Sequence, residues 1–168
     1  MVGFQQSDYY FGAALSLFLK HNLDSRPSLI SDTDKKSQLI KLCTDRSNEF
    51  YIYMKYRSDF NPKSDSSDLT SWTFPLYEKD KQRIEKVVKA GIPIFVFLIC
   101  GYQNEETGEI AVLCRQDYDR IKSQDSVTLN LKGDRPKKFL IHTGRAQSAI
   151  FKIDRNRIQK NFQPMINI

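Results

Sequence analysis

The hydrophobic and polar residues of this chain are arranged around one uninterrupted apolar run at residues 92–101, with the sequence IPIFVFLICG. The run is too short to cross a bilayer, which takes roughly 20 apolar residues. Gly91 precedes it and Gly101 ends it, and a short apolar run bounded in this way is typical of a strand buried on both faces. We therefore expect a central strand here, covered on each side by helices or by a second sheet.

The spacing of apolar residues predicts three helices. They cover residues 8–20, 78–90 and 116–122. The first carries apolar side chains at helical spacing, which places them on one face. The second is amphipathic and is followed by Gly91, a residue common just past a helix end. We expect the first helix to be well buried and the second to lead directly into the central strand.

Alternation of apolar and polar residues predicts the remaining strands. They cover residues 38–44, 49–57, 72–76, 108–114, 127–132, 139–142 and 148–153. The short connection at residues 45–48 makes the first two a hairpin. Pro75 places its strand at a sheet edge, because proline cannot donate a ladder hydrogen bond. Residues 58–71 are polar and rich in turn formers, which predicts a mobile loop, and the tail after Arg157 is expected to fray.

These elements predict a single α+β domain over residues 1–168, with a mixed central β-sheet, about three helices and a basic, β-rich C-terminal segment at residues 126–168. The length of 168 residues and the 40% of hydrophobic residues are enough for a substantial core. Three widely separated cysteines, Cys43, Cys100 and Cys114, indicate buried free thiols rather than disulfides. The start lacks the pattern of a signal peptide, so we expect a cytoplasmic protein with no membrane association.

Charge is distributed unevenly along the chain. Residues 126–168 carry nine lysines and arginines against two acidic residues, whereas the rest of the chain carries 17 basic and 18 acidic residues. Such asymmetry favours a polyanionic partner such as DNA or RNA, although a solvated basic face would have the same composition. The candidate contacts in this segment are Lys132, Arg135, Lys137, Lys138, Arg145, Arg155 and Arg157.

A second candidate surface lies on the strand at residues 49–57. One face of this strand would carry Tyr51, Tyr53, Lys55 and Arg57 in alternation. Interleaved aromatic and cationic side chains can stack on bases and neutralise phosphates, which makes Tyr53, Lys55 and Arg57 candidate nucleic-acid contacts. The alternative is a face covered by another element, with the cationic groups reaching out to water.

The order helix, strand hairpin, loop, helix, central strand resembles the core of the restriction-endonuclease-like nucleases, the PD-(D/E)xK fold. In that family a carboxylate and a Glu-x-Lys motif hold Mg²⁺ and align the attacking water. The matching tripeptide here is Tyr53-Met54-Lys55, in which Tyr53 stands where the motif has its carboxylate. The resemblance implies Lys55 as the catalytic lysine, with Asp45 and Glu49 as candidate carboxylates displaced from the usual position.

A second resemblance covers the later part of the chain and rests on three short segments. They are Trp72-Thr73-Phe74, Cys100-Gly101 and Arg155-Asn156-Arg157. In these segments the chain is similar to a group of small uncharacterised microbial proteins, and the similarity implies no particular activity.

Non-catalytic binding of nucleic acid or another polyanion through the basic C-terminal surface is the function that these observations favour. One alternative is a divergent Mg²⁺-dependent nuclease that uses Lys55. Another is a phage or host-defence accessory protein that binds a second protein. The sequence contains no phosphate-binding glycine motif and no Cys/His ligand spacing, so it predicts no nucleotide cofactor and no metal site beyond the Mg²⁺ of the nuclease alternative.

Overall fold

A computed structural model describes residues 3–34, 36–58, 60–62, 68–102, 107–133, 136–144 and 149–166. These residues form four α-helices and ten β-strands. The helices are α1 (Gln6–His21), α2 (Glu78–Lys89), α3 (Arg115–Ile121) and α4 (Gln163–Ile166). The first five strands are β1 (Ser25–Asp34), β2 (Ser37–Thr44), β3 (Glu49–Arg57), β4 (Phe60–Pro62) and β5 (Leu69–Pro75). The other five are β6 (Ile94–Gly101), β7 (Gly108–Leu113), β8 (Ser126–Lys132), β9 (Lys138–His142) and β10 (Ile150–Asp154).

Two five-stranded sheets make up the β-structure. Sheet A has the order β1-β2-β3-β6-β7, and sheet B has the order β10-β9-β8-β5-β4. In sheet A, β3 and β6 are parallel while the other neighbours are antiparallel. All pairs of sheet B are antiparallel. The prediction of an α+β fold with a mixed sheet and about three helices is therefore confirmed, since three of the four described helices have seven or more residues.

The central strand predicted from the apolar run is β6. Every residue of β6 is buried, and the strand lies between β3 and β7 within sheet A. Phe97 faces the side of sheet A that α1 covers, and Leu98 faces the side that packs against sheet B. The strand is thus covered on both faces, which is why its sequence shows no polar alternation.

The outer layer on one side of sheet A consists of α1 and the C-terminal segment. Phe18 of α1 and Phe162 are fully buried, with ring centroids 5.0 Å apart. The backbone N–H of Phe162 donates to Oδ1 of Asn22 at 2.8 Å. The expectation that the tail after Arg157 frays is wrong for the described residues, because a 3-10 helix at Arg157–Gln159 and α4 pack against α1.

On the other side, sheet A packs against sheet B, and this interface contains the larger of the two apolar cores. Trp72 of β5 is fully buried in it, and its indole Nε1–H donates to the carbonyl oxygen of Gly101 at 3.0 Å. The indole therefore connects the two sheets by a hydrogen bond as well as by apolar contact. The helices α2 and α3 add Ile84 and Ile121 to the same core.

Several local predictions need correction. The polar residues of β1 form the edge strand of sheet A, which the hydrophobic pattern did not indicate. Pro75 does not mark an edge strand, because β5 lies between β8 and β4. Part of the predicted loop at residues 58–71 is strand, at β4 and the start of β5, while residues 59 and 63–67 lie outside the described residues.

All three cysteines are free thiols, as predicted, but only Cys100 is fully buried; Cys43 and Cys114 are partly exposed, so the expectation of buried thiols is wrong for these two. No helix in the described part of the chain has the length and apolar character needed to cross a membrane.

Candidate functional site

Lys55 lies near the C-terminal end of β3, in the core of the molecule. It is paired with Ser37 of β2 on one side and with Leu98 of the parallel strand β6 on the other. Its side chain points toward α2, where Nζ donates to Oδ2 of Asp80. Lys55 and Asp80 are each only 3% exposed, so this ion pair is almost fully removed from solvent.

Other polar and aromatic groups surround this ion pair. Arg83 lies one turn further along α2, with Nη1 3.9 Å from Oδ1 of Asp80 and 3.0 Å from Oγ of Ser37. The Nζ of Lys55 lies 4.5 Å from the ring centroid of Tyr77, and the guanidinium carbon of Arg83 lies 5.5 Å from that of Tyr53. We call Ser37, Tyr53, Lys55, Tyr77, Asp80 and Arg83 the polar cluster; the ion pair and Tyr53 are buried, whereas Tyr77 is exposed.

Burial dominates the electrostatics of this cluster. Desolvation lowers the pKa of Lys55 below its usual range, and the hydrogen bond to Asp80 opposes this effect without overcoming it. Desolvation likewise raises the pKa of the Tyr53 phenol, which stays protonated at neutral pH. Removing the charged groups of the cluster from water costs free energy. The ion pair is therefore not by itself evidence of high stability.

The structure does not bring the candidate carboxylates Asp45 and Glu49 to Lys55. Asp45 forms an ion pair with Arg26 at 3.0 Å, and Glu49 forms one with Lys41 at 2.7 Å. The β2–β3 register is unbroken, so Glu49 and Lys55 are separated by six strand residues, about 20 Å. Within the described ranges, no three His, Cys, Asp or Glu side chains are grouped so that they could hold a metal ion.

The proposed aromatic and cationic face of β3 is covered rather than exposed. Tyr53 is 2% exposed, and Lys55 is buried against α2. Arg57 is only partly exposed. Tyr53 and Lys55 therefore cannot stack on bases or contact phosphates in this structure. The alternative interpretation, in which another element covers this face of β3, is the correct one.

Two of the candidate basic residues in the C-terminal segment form ion pairs within the protein. Arg155, just after β10, binds both carboxylate oxygens of Glu109 on β7 and donates to the carbonyl oxygen of Pro136 at 3.1 Å. The Glu109 carboxylate raises the pKa of Arg155. Arg157 donates to Asp117 of α3 and to the carbonyl oxygen of Val112 at 3.0 Å. Both arginines connect the C-terminal segment to the edge of sheet A.

The candidate lysines of this segment are exposed. Lys138 lies 3.9 Å from Asp154, a carboxylate that also accepts from Lys160 at 2.8 Å. Among the described residues, Lys132 and Lys137 have no ion-pair partner. Arg135 and Arg145 lie outside the described residues.

Some of these charged groups line one groove of about 760 Å³, which runs between β7, the start of β9 and the 3-10 helix after β10. Four cations and two carboxylates line it: Lys137, Lys138, Arg155, Lys160, Glu109 and Asp154. We call it the basic groove. The four cations outnumber the two carboxylates by two. Lys138 and Lys160 share the carboxylate of Asp154, and within the described part of the chain no carboxylate pairs with Lys137.

Two polar positions that sequence reasoning missed were Asp80 and Asn130. Asp80 is one of two acidic residues in the first turn of α2, and only the packing of α2 on β3 brings it to Lys55. Asn130 of β8 contacts His142 of β9, with Nδ2 and Nε2 2.8 Å apart on the side of sheet B away from sheet A. A motif search has no signal for either contact, because both form between residues distant in sequence.

Comparisons of this chain with protein-family models, with curated proteins and with solved structures give no match. A functional assignment therefore has to come from the geometry and charge of the described residues.

Proposed function

We propose that this protein binds nucleic acid or another polyanion without catalysing a reaction, and that the basic groove is its principal contact surface. The observation that carries the proposal is the excess of positive charge in the basic groove, which Lys137 and Lys138 line. Phosphate backbones are bound mainly through such lysine and arginine contacts, and these contacts do not depend on base sequence.

The residues of the groove have different roles in this proposal. Arg155 is bound to Glu109 and Lys160 to Asp154, so these two side chains shape the groove and contribute little free charge. Lys137 and Lys138 are exposed and line the groove, so we assign them as the phosphate contacts. Lys132 at the end of β8 would extend the surface, and Arg157 serves to hold the C-terminal segment in place.

Binding of labelled single- and double-stranded DNA and RNA across a salt series tests the proposal. Affinity should fall steeply with salt, because each phosphate of duplex DNA that a cation neutralises adds about 0.9 to the slope of log K against log salt. Replacing both Lys137 and Lys138 by Gln should reduce that slope by about 2. The matched control is Lys89→Gln, which removes an exposed positive charge at the far end of α2. Equal slopes for the double variant and this control would refute the assignment of the groove.

The same samples, incubated with Mg²⁺ or with EDTA, test the nuclease alternative. This alternative requires carboxylates around Lys55, whereas Asp45 and Glu49 are held elsewhere by Arg26 and Lys41. Mg²⁺-dependent cleavage that disappears in Lys55→Met, with the fold intact by circular dichroism, would establish a nuclease and overturn the non-catalytic proposal.

The protein-binding alternative has one supporting observation, on the outer side of α1. Leu23 is 86% exposed, and it lines a shallow, mostly apolar cleft together with Leu15 and Leu19. Apolar side chains exposed together are common at protein interfaces. If the protein binds none of the tested nucleic acids at low salt, protein binding becomes the favoured function.

A further inference from the structure

Sheet B has an outer face that is directed away from sheet A. On β5, β8, β9 and β10, alternate side chains form the core shared with sheet A, and the side chains between them point outward. The described helices contribute their buried apolar residues to the two cores on either side of sheet A. None of these helices therefore covers the outer face of sheet B.

Three lysines lie on this outer face: Lys132 of β8, Lys138 of β9 and Lys152 of β10. Each is exposed, and each is next in sequence to a core residue that points inward. These core residues are Leu131, Phe139 and Ile153. Lys152 is paired with Leu140 and Lys138 with Asp154, so the two lysines are diagonal neighbours on adjacent strands. Such neighbours lie roughly 7–8 Å apart, close enough to act on one ligand.

Two of these lysines have no ionic partner. Within the described part of the chain, neither Lys132 nor Lys152 lies within ion-pair distance of a carboxylate. Lys138, whose charge Asp154 partly offsets, lines the basic groove as well as the outer face. Lys137 precedes it in the chain, so the positive surface of the groove continues onto sheet B. Like charges gathered on one surface repel one another, and a bound polyanion relieves that repulsion.

This surface offers charge without a platform for base stacking. The aromatic side chains of β5, β9 and β10 all face the core and are at most 6% exposed; they are Trp72, Phe74, Phe139 and Phe151. The described lining of the basic groove contains no aromatic side chain either. Proteins that bind single strands gain about 1–3 kcal/mol per base from stacking on such side chains. A surface of lysines alone favours a duplex, whose bases are already stacked and which carries one negative charge per about 1.7 Å of its axis.

We propose that the partner of this protein is double-stranded nucleic acid, and that Lys132 and Lys152 bind its phosphates together with Lys137 of the basic groove. The outer face of sheet B thereby adds a second contact surface to the proposed nucleic-acid binding of the groove, on which this assignment rests. Because lysine contacts to phosphate carry no sequence information, the protein should bind duplexes of unrelated sequence equally well.

Fluorescence anisotropy of the full chain with a labelled duplex and with its two separated strands, at one salt concentration, tests the preference. DNA and RNA are titrated separately. For the nucleic acid that binds more tightly, the duplex should bind at least about tenfold more tightly than either strand. Equal or tighter binding of the single strands would overturn the assignment to duplexes.

The salt dependence of duplex binding tests the outer face. The double variant Lys132→Gln, Lys152→Gln should reduce the slope of log K against log salt by about 2, since each phosphate contact contributes about 0.9. Both side chains are exposed and unpaired among the described residues, so the fold should be unchanged, which circular dichroism checks. Lys89→Gln is the matched control and should have the slope of the wild type within about 1. A slope for the double variant equal to that of the control would overturn the role of the outer face.

The variant with Gln at Lys137 and Lys138 separates this inference from the proposed function. If that variant loses salt dependence while the Lys132, Lys152 variant does not, the groove binds nucleic acid and the outer face does not. If the reverse holds, the outer face is the contact surface and the assignment of the groove fails. Absence of binding to every duplex and single strand at low salt would overturn both.

Discussion

Lys55 and Asp80 are 25 residues apart in sequence and form an ion pair that is almost fully removed from solvent. The pair connects β3, in the middle of sheet A, to the first turn of α2. Removing Asp80 alone leaves the Lys55 ammonium without its carboxylate in a region that water reaches poorly, and removing Lys55 alone leaves Asp80 with only the more distant Arg83, at 3.9 Å. The pair is therefore a strong constraint on where α2 begins to pack against the sheet.

Removing one partner of this pair should be far more damaging than removing both. We expect Lys55→Met to lower the free energy of unfolding by about 3 kcal/mol, because the buried Asp80 carboxylate then keeps only the more distant cation of Arg83, at 3.9 Å. The double variant Lys55→Met, Asp80→Leu should recover most of this loss. Urea denaturation of the two single variants and the double variant measures the coupling. Additive losses in the double variant would show that the two side chains do not depend on each other.

Breaking the ion pair between Arg155 and Glu109 should loosen the C-terminal segment. Arg155 is 37% exposed and solvent screens its charge, so we expect Arg155→Gln to reduce the free energy of unfolding by only about 1 kcal/mol. The neighbouring Lys137→Gln should change it by less than about 0.5 kcal/mol. Urea denaturation of both variants makes the comparison. A reduction in Lys137→Gln as large as that in Arg155→Gln would contradict the structural role assigned to Arg155.

Gly101 and Gly12 should respond in opposite directions to replacement by alanine. A Cβ at Gly101 would lie 2.8 Å from Cε2 of Tyr56 and 3.3 Å from Cζ of Tyr10, two rings that are buried and stacked. Overpacking there should cost about 1–3 kcal/mol. At Gly12, within α1, a Cβ meets nothing within 4 Å, so alanine should stabilise the helix by about 0.5–1 kcal/mol. Melting temperatures of both variants test the contrast, and a stabilising Gly101→Ala would exclude this packing.

Alkaline pH should destabilise the protein partly through Tyr118. Burial raises the pKa of its phenol above the usual value of about 10. The unfolded chain therefore releases this proton first, so the contribution to stability is complete below pH of about 10 and is lost as pH rises toward the folded-state pKa. Unfolding free energies measured from neutral to alkaline pH should fall less steeply for Tyr118→Phe than for the wild type. An alkaline slope for Tyr118→Phe as steep as that of the wild type would show that the Tyr118 phenol does not stay protonated in the folded protein.

Local pattern was sufficient to predict the main elements. The helix predicted at residues 8–20 is α1, the strands at residues 38–44 and 49–57 are β2 and β3, and the apolar run is β6. These segments have strong periodicity because one or both of their faces are buried, and burial is what imposes the pattern. The edge strand β1 was missed because its polar residues and Pro27 leave no such pattern.

The sequence by itself determined that this protein has a buried central strand, a long apolar helix, free cysteines and a basic C-terminal segment, since composition and short-range periodicity follow directly from which residues avoid water. Only the tertiary structure decided what the charged residues do. Packing of α2 on β3 makes Lys55 a buried partner of Asp80, and packing of the C-terminal segment on β7 makes Arg155 a partner of Glu109. Both pairings join residues far apart in the chain. Burial, rather than residue type, therefore distinguishes the charged residues with a structural role from Lys137 and Lys138, which stay exposed.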